Sequence, residues 1–262
     1  MRFAAVRTVL SVWSWFTLGL SVIVIVPIVG LIRLATAFTD PGRYKAGRMF
    51  RQIPVVHQKL NPLWKFRVTG TIPADPRRPY VVVSNHESFV DILLLSHLPF
   101  EMKWMSKSDF FRYPFVGWAM RMAGDIKLER ADAKGGARAL AESRDRLEKK
   151  VSVMIFPEGT RSANGELQDF KDGAFRLAIQ AGVPILPVAL IGTRDALVKH
   201  DWRFGVTDAE ARVLEPIETQ GMTKHDVEEL RDRTRDAIAE ALARMRAERA
   251  GAASPVSTPG EP

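Results

Sequence analysis

The chain has 262 residues, is 46% hydrophobic and contains no cysteine, so a sizeable core is available but a disulfide framework, a zinc–thiolate site and a cysteine nucleophile are excluded. Its formal charge of +8 is uneven: residues 1–70 hold ten Lys/Arg against Asp40 alone, and the other 192 residues are close to neutral. Basicity confined to one end suggests nucleic acid or an anionic membrane surface.

The N-terminus decides for the membrane. Thr8–Ile32 is a run of 25 uncharged residues. As a helix it would extend about 37 Å, against a hydrocarbon core of about 30 Å. It reads as one spanning helix or, divided at Pro27, as a re-entrant pair, with Trp13 and Trp15 at one interface. Ala35-Thr36-Ala37 resembles a signal cleavage site, but the run is longer than the usual roughly 7–15 residues and Arg33 precedes the site. Arg33, Arg43, Lys45, Arg48 and Arg51 follow the run, so residues 33–262 are expected on the cytoplasmic face of the inner membrane. Residues 40–62 are expected to lie along the membrane surface.

Residues 64–73 alternate apolar and polar and predict a strand, and 75–79 a turn. Residues 80–85 predict a buried strand, 88–98 a helix closed by Pro99, and 103–107 a strand. Within 112–130 come a turn, a helix and a strand around Ile126–Leu128. Residues 135–150 predict an amphipathic helix, 151–162 a strand entering a loop, 170–182 a helix ended by Gly182, and 183–192 a buried strand. Apolar residues 227, 230, 238, 242 and 245 mark a last helix, and 251–262 is a Pro/Ser/Gly-rich tail expected to be disordered. The expectation is an α/β fold, a mostly buried sheet flanked by helices, with an N-terminal membrane-embedded helical segment. Its parts are 1–62, an α/β domain over 63–222, a helix over 223–250 and the tail.

Two polar clusters stand at strand-to-loop junctions, where sites form in such sheets. The first is "VVVSNHESFVDILLL" (81–95). A histidine there can act as a general base if an acceptor fixes its other ring nitrogen. Asp91 supplies one, provided His86 precedes the helix and Asp91 lies in its first turns, because five residues along a regular helix turn about 140°. With no serine or cysteine nucleophile, the attacking group would be a substrate hydroxyl. Ser88-Phe89-Val90-Asp91 also fits a capping box, and both readings stand. The second cluster, "FPEGTR" (156–161), offers Glu158, a glycine backbone, a threonine hydroxyl and the planar fork of Arg161, suited to phosphate. A base beside a phosphate-binding loop implies an anionic substrate that carries a hydroxyl. His57, His97, His200 and His225 have no ligand-spaced neighbours, so no metal is expected.

With these residues the chain resembles the glycerolipid acyltransferase family, in particular 1-acylglycerol-3-phosphate acyltransferases. Asn85-His86-Glu87-Ser88-Phe89-Val90-Asp91 stands where the family has Asn-His-x-Ser-x-x-Asp. Lys107, Asp109, Pro114 and Gly117 match the next segment, with Phe110 where leucine is usual. Gly124–Arg130 matches Gly-x-Ile-x-x-x-Arg, with Lys127 in a stretch that is usually uncharged. Phe156–Ser162, "FKDGA" (170–174) and "VPILPV" (183–188) follow in order, so the resemblance covers about 65–195. It implies acyl transfer from a thioester on coenzyme A or acyl carrier protein, with no further cofactor, to the sn-2 hydroxyl of a lysophospholipid, forming phosphatidic acid. A lyso-ornithine lipid or glycerol 3-phosphate as acceptor, a hydrolase, and a non-catalytic membrane-binding module are the alternatives. By resemblance His86 is the base and Asp91 its support. Glu158, Gly159, Thr160 and Arg161 hold the glycerol phosphate, with Arg130 and Lys107 as further contacts. The expected partners are the lipid bilayer, the acceptor and the donor, not nucleic acid.

Overall fold

The computed structural model describes residues 2–129, 133–197 and 201–253. Seven strands form one sheet in the order β1-β7-β6-β2-β5-β3-β4. They are β1 (Trp64–Gly70), β2 (Val81–Ser84), β3 (Met102–Lys107), β4 (Ile126–Leu128), β5 (Ser152–Ile155), β6 (Ile185–Ile191) and β7 (Thr207–Val213). Among the described residues, β6–β7 is the one antiparallel pairing between these strands. The short apolar runs become central strands buried on both faces: every residue of β2 and β5 is buried. α6 (Ala133–Glu148), α7 (Gly173–Ala181) and α8 (Val227–Ala253) cover one face, and α4 (Val90–Leu95) the other. The last helix runs to Ala253, past the expected boundary at 250, and residues 254–262 lie outside the described ones.

The N-terminus departs from expectation. α1 (Arg2–Ala35) is a single helix with Pro27 inside it, so the re-entrant pair is excluded. It is long and apolar enough to cross a membrane. Yet one face lies against the domain nearly end to end. Arg7 Nε donates to Phe204 O (2.9 Å), and Ser11 Oγ accepts from Phe204 N (3.0 Å). Trp13 and Trp15 spend their indole N–H groups on Leu60 O and Trp202 O. Further along, Ile25, Val26 and Val29 are buried with Ala46, Ile53 and Ala119. From Arg7 to Val29 is about 33 Å of helix. The opposite face exposes Val9, Val12, Phe16, Leu20, Ile23, Leu31 and Leu34, an apolar stripe at helical spacing.

The basic band also differs. Residues 40–62 fold as α2 (Tyr44–Phe50) and α3 (Gln52–Leu60), packed on α1, and α2 also meets α5 (Val116–Ala123). Three of its cations are taken up by the protein itself, Arg51 in its interior. Arg43 donates to Arg121 O, Arg48 to Leu98 O (2.6 Å), and Arg51 to Met102 O (3.1 Å) and to the Asp125 carboxylate. Beside Arg51, Lys103 Nζ meets Glu101 Oε1 at 2.9 Å and Arg43 O at 2.8 Å, with both side chains fully buried. A four-charge cluster thus ties the N-terminal helices to the sheet.

Candidate active site

β2 and β5 are adjacent and parallel, with Val83 opposite Ile155. Their following loops therefore leave the sheet side by side at one edge, which brings the two polar clusters together. α4 begins at Val90, so His86 sits in the loop before it and Asp91 in its first turn. His86 Nδ1 lies 2.7 Å from Asp91 Oδ2. The same oxygen accepts the backbone N–H groups of Glu87 (2.7 Å) and Ser88 (2.9 Å), and Oδ1 accepts the Thr193 hydroxyl. A carboxylate only accepts, so in the neutral ring Nδ1 carries the proton and Nε2 has the lone pair. Ser88 Oγ accepts the Val90 N–H at 3.2 Å. One fully buried carboxylate thus holds the imidazole and also accepts the Ser88 N–H ahead of the helix, the half of a capping box that Asp91 supplies; the Asp91 N–H itself goes to Ser88 O and not to the hydroxyl.

The imidazole stacks on Phe156, with centroids 3.9 Å apart and planes 12° from parallel. Glu158 is turned inward. Its Oε1 accepts His86 N–H (2.8 Å) and its Oε2 accepts from Gln168 Nε2 (2.6 Å). Burial raises the Glu158 pKa above the usual carboxylate value. Glu87, half-buried and close to Asp91, is pushed by burial up to about 7. Ser162 N–H donates to His86 O at 2.7 Å, so the two loops are stitched together on both sides of His86. Asn85 pairs with the backbone of Leu190 through both amide atoms, a scaffold role.

A cavity of about 540 Å³ opens at this edge, and His86, Lys107, Phe156, Gly159, Thr160 and Lys171 are among its walls. A second cavity of about 380 Å³, with mostly apolar walls, extends between α1, α3, α4 and α5. Ile92, Trp104, Ser106 and Phe110 line both. The expected site residues therefore divide. His86, Asp91, Gly159, Thr160 and Lys107 converge, although Lys107 is paired with Asp109 at 2.5 Å. Glu158 supports the His86 backbone rather than lining the cavity. Arg161 is exposed and does not line it either. Arg130 lies outside the described residues. Three contributors were not foreseen: Thr193 on Asp91, Phe156 under His86, and Lys171 in the cavity wall. The strand-end position of Thr193, one residue beyond the Gly192 that follows β6, was the available signal.

Comparison with known proteins identifies the family and the fold. Residues 65–191 match the family model described as Acyltransferase. The human 1-acyl-sn-glycerol-3-phosphate acyltransferase alpha is 35% identical over 199 residues, covering 75% of this chain and 70% of that protein. The Arabidopsis thaliana chloroplastic 1-acyl-sn-glycerol-3-phosphate acyltransferase LPAT1 is 42% identical over 136 residues, 51% of this chain and 38% of the relative. The crystal structure of the 1-acyl-sn-glycerophosphate (LPA) acyltransferase PlsC from Thermotoga maritima superposes with a TM-score of 0.76 at 27% identity, covering 94% of this chain and 98% of that one. The histidine–carboxylate pair at the shared sheet edge sits inside the matched domain, and the chain belongs to the acyltransferase family that includes these 1-acyl-sn-glycerol-3-phosphate acyltransferases.

Proposed function

We propose that the chain transfers a fatty acyl group from a thioester, on coenzyme A or acyl carrier protein, to the sn-2 hydroxyl of 1-acyl-sn-glycerol 3-phosphate, forming phosphatidic acid. The observation that carries this is the 2.7 Å contact between His86 Nδ1 and Asp91, with the imidazole facing a cavity that continues into an apolar pocket. His86 Nε2 takes the hydroxyl proton as the oxygen attacks the thioester carbonyl. Asp91 stabilises the imidazolium that forms. The carbon–sulfur bond then breaks, and the departing thiolate takes the proton from His86. The acyl chain lies in the apolar pocket, whose walls include Leu18 and Val22 of α1. No acyl-enzyme is needed.

Purified protein in detergent, supplied with acyl-CoA and lysophosphatidic acid, is expected to release thiol only when the acceptor is present and to form phosphatidic acid in equal amount. Thiol release without acceptor would instead mark a hydrolase and overturn the reading.

We also propose that α1 lies in one leaflet of the inner membrane rather than across the bilayer, with the domain on the cytoplasmic side. Its apolar stripe faces lipid, and its other face stays on the domain. A spanning helix would need about 20 residues within the hydrocarbon core, clear of the polar domain that here lies along it. Because the chain has no cysteine, single substitutions report topology cleanly. Ala5→Cys and Thr39→Cys, both exposed at opposite ends of the helical segment, are expected to react with an impermeant maleimide in inverted vesicles and not in spheroplasts. Reaction from opposite sides would mean that the helix spans.

A further inference from the structure

We propose that Lys171 is the cation that receives the acceptor's phosphate, the role the motif pattern gives to Arg161. The inference rests on the lysophosphatidic acid reading above and names a binding residue within that site.

Charge accounting around the cavity singles it out. Among the described residues, three charged side chains other than His86 line the walls: Lys107, Glu129 and Lys171. Lys107 is neutralised by Asp109. Glu129 is shared between Lys127 (2.6 Å) and Arg138 (2.8 Å). The acid next to Lys171 in sequence, Asp172, is occupied by Arg231 (2.8 Å) and Arg176 (3.2 Å). Among the described residues no carboxylate pairs with Lys171. An ammonium lining a cavity without a counter-ion is free to take a dianionic headgroup at no cost in broken ion pairs.

The backbone holds it there. Lys171 N–H donates to Pro157 O at 3.0 Å, which fastens the residue to the start of the loop carrying Gly159 and Thr160. Next to it, Phe170 stacks on Phe175 of α7, with centroids 6.3 Å apart. The side chain crosses directly over Gly159. A Cβ on that residue would come within 2.9 Å of Lys171 Nζ, and its φ of +75° is one that favours glycine. Glycine at 159 thus leaves room for the lysine to reach the cavity, where His86, Gly159 and Thr160 form the same wall. Arg161, two residues on, points outside.

The test is equilibrium binding to the full-length protein in detergent, with lysophosphatidic acid and neutral monoacylglycerol as paired probes, beside steady-state kinetics. Lys171→Gln is expected to weaken lysophosphatidic acid binding roughly 10- to 100-fold, the effect of losing one charge-assisted contact, and to leave monoacylglycerol binding unchanged. KM for lysophosphatidic acid rises while KM for the acyl donor does not. Lys171→Arg restores most of the loss, and Arg161→Gln produces a smaller shift. Equal loss for both probes, a shift in donor KM alone (which would place donor phosphates on Lys171), or a larger effect from Arg161→Gln would overturn the assignment. The exposed side chain makes misfolding an unsuitable explanation, and unchanged Tm checks this. A protein that binds lysophosphatidic acid through Lys171 but forms no phosphatidic acid would sink the proposed reaction and keep this inference. One that forms phosphatidic acid while Lys171→Gln binds normally would do the reverse.

Discussion

His86→Ala is expected to lower kcat by roughly 10²–10⁴-fold, the range for loss of a positioned general base, with Tm nearly unchanged. The ring is partly exposed, so its removal forfeits the stacking on Phe156 and little other packing. Asp91→Asn is the sharper test. Asparagine has the same shape, and its amide oxygen can face the three N–H donors that now meet Oδ2. Its NH₂ can face Thr193, whose hydroxyl accepts as well as donates. The loop and the tautomer therefore survive, and only the negative charge beside the forming imidazolium is lost. The expected result is a fall in kcat of about 10²-fold or more with KM for both substrates within a few fold. Activity within tenfold of wild type would remove His86 from the reaction in the first variant, and the Asp91 charge from it in the second.

The largest stability effect is expected in the buried cluster. Lys103→Met strips Glu101 of its ammonium at 2.9 Å and leaves only Arg51 at 3.7 Å. Glu101 is fully buried, and burial already raises its pKa and lowers that of Lys103, the direction desolvation drives each charge. Breaking such a pair from one side costs about 3–5 kcal/mol, which in a domain of this size is roughly a 6–20 °C fall in Tm. Replacing both partners, as Lys103→Met with Glu101→Leu, removes the orphaned charge and is expected to recover much of the loss. Thermal unfolding of the single and double variants in detergent decides it: a Lys103→Met protein that melts within about 2 °C of wild type would show that the cluster does not carry the docking of the N-terminal helices.

Much of this architecture is legible in the sequence. The apolar runs at 81–83, 153–155 and 185–191 read as strands buried on both faces, and burial on both faces implies parallel neighbours with their loops at one edge. That reasoning places His86 next to the 156–161 loop before any coordinates exist. What it could not see was decided by contacts distant in sequence. β7 (Thr207–Val213) reads as a polar segment because Glu210 and Arg212 sit within it. Their charges are absorbed by each other, by Thr69 and by Glu248. Arg43, Arg48 and Arg51 have the composition of a lipid-facing band, and nothing local distinguishes a guanidinium bound by carbonyl groups from one bound by headgroups. Within 156–171, which side chains face inward is set by the bonds of Glu158 to His86 and Gln168, so the motif identified the loop but not its orientation.

The position of α1 has a consequence for how substrates arrive. Leu18 and Val22 wall the apolar pocket on one side while Leu20, Ile23 and Val24 of the same helix face outward. With α1 seated in one leaflet, as proposed, an amphiphile held there reaches the base by sideways diffusion, without passing through water. Supply becomes a two-dimensional problem, in which turnover follows the mole fraction of acceptor in the surface and diluting that surface with inert lipid slows the enzyme even when the total amount of substrate is fixed.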